Sequence, residues 1–224
     1  MTTFWLKFTL QSDATFGRGD GVAGVVDSEV QHDVYGLPYL GGRALKGLLG
    51  EERANILFAL ECQGQAQRWQ AAAQRLFGSP GSQDEDQSLL HVGDARLPEN
   101  LRQAVRRGFE RSELTREQVL RSLTAIRRQT AINVEGAPQK GTLRSMRVIL
   151  RETPFEAALT FLADPTPDDL ALLAACVKAL RRAGTGRNRG RGELAAHLCD
   201  AQGRDVTQAY FVHFQEMVRK EAAQ

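Results

Sequence analysis

Residues 184 to 192 read Gly-Thr-Gly-Arg-Asn-Arg-Gly-Arg-Gly, and what lies on either side of this loop limits the folds open to the chain. Before it runs the cleanest helix of the sequence. Thr166 stands in the cap position, Pro167 opens the helix, Asp168 and Asp169 fill the first turn, and Leu170, Leu173, Val177 and Leu180 form the apolar stripe. Gly184 is the expected terminator. After the loop, Gly192 to Cys199 reads as a strand. A dinucleotide-binding fingerprint has the opposite order, since it leaves a strand and opens a helix. Glycines that let the backbone approach a ligand, interleaved with Arg187, Arg189 and Arg191, suit a phosphate-bearing partner instead.

The rest of the chain reads as a mixture of strands and helices. Phe4, Leu6, Phe8 and Leu10 alternate with Trp5, Lys7 and Thr9, the period of a half-buried first strand. A glycine-dotted stretch, Ser12 to Gly42, follows without helical period. A helix is expected from Arg43 to about Leu60, an exposed loop from Gly78 to Gln87 carrying Asp84, Glu85 and Asp86, and a strand from Leu89 to Leu97. Two short charged helices span Glu99 to Arg107 and Arg116 to Leu123, the second opened by Thr115 with Gln118 in capping-box register. Strands at Thr142 to Leu150 and Phe155 to Ala163, separated by a turn at Glu152 to Pro154, predict a hairpin. A helix from about Val206 to Ala222 ends the order.

At 224 residues, with 42 % apolar and 25 % charged residues, the chain has the composition of one globular domain and of neither a disordered nor a membrane-spanning protein. Cys62, Cys176 and Cys199 are odd in number and far apart, which gives no disulfide framework and no zinc knuckle. The N-terminal segment has no cleavage-site signature, so a cytoplasmic location is expected. A net charge of +2 says little about nucleic acid. Distribution says more: of 29 basic residues only five are lysine, and arginine's planar fork suits phosphates and stacks on bases. Arginine excess also follows from a GC-rich coding sequence, so the weight falls on clustering. Between Arg121 and Arg151, Arg121, Arg127, Arg128, Lys140, Arg144, Arg147 and Arg151 stand against the single acid Glu135.

A second glycine-rich turn, Gly36 to Leu49 (GLPYLGGRALKGLL), delivers the chain into a helix whose first turn holds Arg43 and Lys46. The free amides of a helix N-terminus offer an anion site. It is not a Walker A loop, because no Gly-Lys-Ser/Thr falls at the required spacing.

Four segments, in order, carry a family resemblance. The stretch GLPYLGGRALKGLL resembles the lPyIPGSSLKGalR signature of the RAMP superfamily, and GTGRNRGRGEL resembles that family's C-terminal glycine-rich loop. Between them, HVGDARL is similar to its strand with an Asp-Ala pair, and AIRRQTAINVEGAPQKGTLRSMRVIL to its arginine-led segment. The length resembles that of the backbone subunits of type III CRISPR effectors. The resemblance implies an α+β fold, a modified ferredoxin-like (RNA-recognition-like) core with inserted helical and thumb segments, in one domain over 1–224. The thumb would fall at about 121–142 and the glycine-rich loop at 184–192.

Such a subunit grips a guide (crRNA) that pairs with target RNA, alongside other effector subunits that include RAMP paralogues and the large subunit. Carried onto this chain, RNA binding falls to Arg43, Lys46, Arg127, Arg128, Lys140, Arg144, Gly184, Gly186, Arg187, Arg189 and Arg191. The family's cleaving aspartate, which acts with a divalent metal, is best matched by Asp33, making it the candidate catalytic and metal-binding residue with Mg²⁺ or Mn²⁺; a lone carboxylate can suffice where phosphate oxygens and waters complete the shell. His32 beside it is a candidate for proton transfer. Against the family pattern the loop is one residue shorter, Gly41 stands for a proline and Arg43 for a serine. Two alternatives stay open: a non-catalytic paralogue or head subunit that only holds the guide, and a stand-alone endonuclease that processes precursor guides.

Overall fold

The computed structural model describes residues 2–78, 88–139 and 141–222. The acidic stretch around Asp84 to Asp86 and the expected RNA contact Lys140 lie outside the described residues.

The core is an antiparallel sheet of four strands, β1 (Thr2–Leu10), β2 (Leu90–Val92), β5 (Pro154–Phe161) and β6 (Leu194–Cys199), in the order β2-β5-β1-β6. β1 is central because its alternation is the most complete. Phe4, Leu6, Phe8 and Leu10 are at most 7 % exposed, facing Phe155, Ala157, Leu159 and Phe161 of β5, which are equally buried. Cross-strand register sets Phe8 beside Phe155, with rings stacked 5.2 Å apart, and Phe4 edge-on to Phe161 at 5.8 Å.

Helix α1 (Gly42–Glu61) connects β1 to β2, and α5 (Pro167–Ala179) connects β5 to β6. Two β-α-β units interleaved in this way give the strand order of a ferredoxin-like core. α5 is apolar almost all round, and Leu170 to Val177 are buried, because it lies between the sheet, α1, and two further helices, α2 (Gln67–Phe77) and α6 (Thr207–Ala222). Its cap is the capping box in which Thr166 and Asp169 satisfy each other's backbone amides, and Arg75 of α2 closes on Asp169 at 2.9 Å. α2 was not expected from the sequence. Trp69, Ala72, Ala73 and Leu76 make its buried stripe, with Trp69 4.5 Å from Phe214 of α6.

Helices α3 (Glu99–Glu110) and α4 (Arg116–Leu123) are inserted after β2, and α4 begins with the expected Thr115–Gln118 capping box. It runs directly into β3 (Thr124–Gln129), which pairs with β4 (Arg144–Ile149) in a separate two-stranded sheet. This corrects the expected hairpin between 142–150 and 155–163. β4 buries only Val148 and Ile149 and finds its partner in β3, whereas β5 buries every second residue and belongs beside β1. The chain switches sheets at Glu152, in the left-handed region (φ 68°), whose N–H donates to Leu10 O at 2.7 Å. A second correction concerns Gly184: α5 already stops at Ala179, so Gly184 terminates nothing.

Candidate nucleic-acid interface

Three cavities follow one another across the face formed by the start of α1, the glycine-rich loop and the β3–β4 ribbon, which includes most of the expected thumb. The first, about 580 Å³, is lined by Arg43, Gly184, Thr185 and Arg187 among others. The second, about 380 Å³, shares Thr185 and adds Gly186, Arg189, Arg191, Gln129 and Arg144. The third, about 490 Å³, shares Gln129, Arg144 and Arg189 and ends at Thr130, Ala131 and Thr142. Shared walls make them one trough, bordered by Arg43, Arg144, Arg187, Arg189 and Arg191.

The glycine-rich loop owes its shape to two close approaches. A Cβ on Gly184 (φ 88°) would lie 2.5 Å from the Thr15 carbonyl oxygen, and one on Gly192 (φ 70°) 1.8 Å from that of Ala183. Between them Arg187 to Arg189 form one 3-10 turn bounded by left-handed Gly186 and Gly190. The turn presents Arg189 to solvent, while Arg187 Nη1 donates to Glu51 Oε2 of α1 at 2.9 Å. Arg191 lies against the Met146 sulfur of β4.

On the thumb, the arginines divide by partner. Arg127 is held by Asp13 at 2.8 Å and Arg147 by Glu29 at 2.8 Å, both anchoring the thumb base to the loop after β1. Arg43, Arg128, Arg144, Arg189 and Arg191 make no ion pair among the described residues, and all but Arg128 line the trough. Cations that the fold does not neutralise are the ones available to phosphates.

Like Arg127 and Arg128, the expected site residues Lys46 and Asp33 do not line the trough. Lys46 turns toward β2, where its ammonium donates to Leu90 O at 3.0 Å and to the Ser88 hydroxyl, and burial lowers its pKa. It borders a separate cavity of about 370 Å³, which Arg43 also lines. The α1 N-terminus, expected to be an open anion site, is taken at its first two amides. Gly42 N–H donates to Asp94 Oδ1 at 2.9 Å and Gly41 N–H to Gln31 Oε1 at 3.3 Å. Burial works against the Asp94 charge, but Arg96 and the Gly42 amide outweigh it and hold the carboxyl below its ordinary pKa.

Asp33 lines none of the three cavities of the trough. Its Oδ1 accepts the N–H groups of Tyr35 at 2.9 Å and Leu37 at 3.0 Å, closing a turn. His32 faces the Asp33 carbonyl at 3.2 Å and the Arg116 guanidinium at 3.4 Å. Among the described residues no three His, Cys, Asp or Glu side chains converge on one point. Asp33 therefore offers Mg²⁺ or Mn²⁺ a lone carboxylate, with no cluster of protein ligands around it among the described residues. Asp27, which sequence reasoning passed over, lines the trough beside Arg144, Arg189 and Arg191, and Asp94 lines its α1 end. The Ser145 N–H at 2.6 Å, with the Ser145 hydroxyl, lowers the pKa of Asp27. Asp27 and Asp33 share one glycine-dotted stretch, and only the fold separates their surroundings.

A ferredoxin-like α+β core with an arginine-bordered trough defines the class. Within that class the model of the RAMP superfamily matches residues 7–195, and the chain belongs to that superfamily. Among solved structures it is similar to a chain of the type III-B Cmr-beta complex bound to cognate target RNA, with 12 % identity, 94 % of this chain and 99 % of that chain covered, and a TM-score of 0.62. A chain of the apo state of type III-B Cmr-beta matches with 13 % identity, 88 % and 97 % coverage and a TM-score of 0.60. No curated protein matches the sequence. No helix among the described residues is long and apolar enough to cross a membrane.

Proposed function

We propose that this chain is a guide-RNA-binding backbone subunit of a type III CRISPR effector complex, acting in the cytoplasm with the crRNA guide, its target RNA, RAMP paralogues and the large subunit. The observation that carries the reading is the trough, where unpaired arginines from the thumb and the glycine-rich loop converge although they are far apart in sequence. Membership of the RAMP superfamily and the likeness to chains of an effector complex bound to target RNA support it.

In this reading the RNA backbone runs along the trough. Arg144, Arg189 and Arg191 bind phosphates in its middle, and Arg43 does so at the α1 end. The thumb base stays fixed during binding because Arg127 and Arg147 are already paired to Asp13 and Glu29. Guide holding needs no metal, and metal-assisted cleavage at Asp33 is not part of the proposal. The engagement of its carboxylate in the turn favours a subunit that holds the guide.

Fluorescence anisotropy of labelled single-stranded RNA across a salt series tests the reading. Each neutralised phosphate contributes a slope of about −0.7 in log affinity against log salt. Four bound phosphates give a slope near −3, whereas binding insensitive to salt contradicts the electrostatic trough.

A further inference from the structure

The β6 edge of the core sheet is covered at both ends and open in the middle. Leu10 N–H donates to Thr153 O at 3.1 Å and Leu10 O accepts the Glu152 N–H at 2.7 Å, so Leu10 and, by alternation, Phe8 and Leu6 turn their backbone groups toward β5. Their neighbours on β6, Leu194, Ala196 and Leu198, therefore turn theirs away from the sheet. The outer two are served. Leu194 N–H donates to Arg181 O at 2.9 Å, Leu198 N–H to the Thr207 hydroxyl at 2.7 Å, and Leu198 O accepts the Val206 N–H at 2.9 Å. Between them the N–H and C=O of Ala196 have no partner among the described residues.

A cavity of about 370 Å³ opens onto this gap and shares no lining residue with the arginine trough. Leu180 and Leu194, 2 % and 4 % exposed, give it an apolar floor. Lys178, Arg181 and His197 line it against a single acid, Asp205. That acid is engaged with His197 at 2.9 Å, and Lys178 reaches only the neutral Gln208 at 3.0 Å. Lys178 and Arg181 are exposed and make no ion pair among the described residues.

We propose that this gap takes an extended acidic segment of another protein, which adds a short strand beside β6. A phosphate or a carboxylate only accepts, so it satisfies the Ala196 N–H and leaves the carbonyl bare. One residue of an extended chain supplies a donor and an acceptor together, the bonding of strand addition at a sheet edge. From Leu194 to Leu198 the edge runs roughly 13 Å, room for about three residues. Charge complementarity with Lys178 and Arg181 selects acidic side chains in that segment. The surface is separate from the trough, so its occupancy does not depend on RNA.

Two blocked pentapeptides test the proposal on the whole chain, one alternating aspartate with valine and one alternating lysine with valine. NMR titration of the isotope-labelled protein follows the backbone amides of Lys178, Arg181 and Ala196. The acidic peptide is expected to shift all three, and the basic peptide none. Arg181→Glu changes an exposed side chain and should weaken the acidic peptide about tenfold. Ala196→Pro removes the open N–H at an edge position that tolerates proline and should weaken it by a similar factor. If Ala196→Pro proves unstable, Arg181→Glu carries the test alone. No shift at these amides overturns the proposal, as do equal shifts from both peptides or unweakened binding to Arg181→Glu. Single-stranded RNA that shifts the same three amides assigns the gap to nucleic acid and overturns it as well.

Discussion

Asp33 and Asn133 hold the same turn in two distant parts of the chain. The Oδ1 of Asp33 accepts the amides of Tyr35 and Leu37 at 2.9 and 3.0 Å, and that of Asn133 the amides of Glu135 and Ala137 at 3.1 and 2.9 Å. Both turns close through a backbone bond of 2.9 Å, to Leu37 O and Ala137 O, and both have a left-handed glycine, Gly36 (φ 84°) and Gly136 (φ 81°). Their surroundings differ. A Cβ on Gly36 would lie 2.4 Å from the Arg116 carbonyl oxygen of α4, whereas Gly136 at the thumb tip faces open space.

Because an amide serves the second turn, the first does not need a charge. Asp33→Asn is expected to change stability by less than about 0.5 kcal/mol, and Asp33→Ala, which removes an acceptor of two amides, to cost about 1–2 kcal/mol. Urea unfolding midpoints check both. Loss of metal-dependent RNA cutting by an assembled complex carrying Asp33→Asn would return a catalytic role to this residue.

Glu29 and Arg147 tie the loop after β1 to the thumb. Their side chains are 3 % and 12 % exposed, and Glu29 also accepts the Val30 amide at 2.9 Å. Removing one partner leaves the other charge buried, so Glu29→Ala is expected to cost about 3 kcal/mol. Chemical denaturation reads this directly.

The trough arginines and the anchoring arginines should separate in salt series. Arg144→Ala and Arg189→Ala are each expected to weaken RNA binding and to make the salt slope shallower by about 0.7. Arg127→Ala leaves the slope unchanged. It costs under about 1 kcal/mol of stability, because its pair with Asp13 is half exposed.

Asp168 sets an acid limit. Arg68 donates two bonds of 2.7 Å to its carboxylate and holds its pKa below the ordinary value. A carboxylate depressed in the folded state adds stability above its unfolded pKa of about 3.9, and that contribution is lost as pH falls through the lower folded value. Arg68→Met should therefore flatten the fall in thermal stability between about pH 5 and pH 2. An unchanged acid limb would show that the pair contributes nothing.

Much of the fold was legible in local patterns. β1, α1, α4 with its Thr115 box and the start of α5 with its Thr166 box follow from period and capping chemistry, and the structure places them within a residue or two of expectation, whereas α5 ends short of Gly184. α2 was missed because two of its four buried positions are alanines, which carry a weak apolar signal. The hairpin error has another cause. Two strands joined by a short turn look like a hairpin in sequence, and only the demand of β1 for a fully alternating neighbour draws β5 away from β4.

At the candidate interface, the sequence marked two glycine-rich loops that the fold brings to one face, but could not say which charges were already spoken for. Arg127 and Arg144 look alike in sequence, yet Asp13 claims the first and no acid among the described residues claims the second. Lys46 and the first amide of α1 have partners that were hidden for the same reason. Their partners, Leu90 and Asp94, lie on and just after a strand that only the sheet brings beside α1. Asp27 and Asp33 were separable only by hydrogen bonds.

The central claim is that this chain grips a guide RNA inside a larger complex. Co-expression with its neighbouring CRISPR genes and a repeat array, followed by purification through this chain and sequencing of the bound RNA, tests it most directly. The account predicts defined spacer-containing guides recovered in a large assembly. A free monomer carrying no RNA would contradict it.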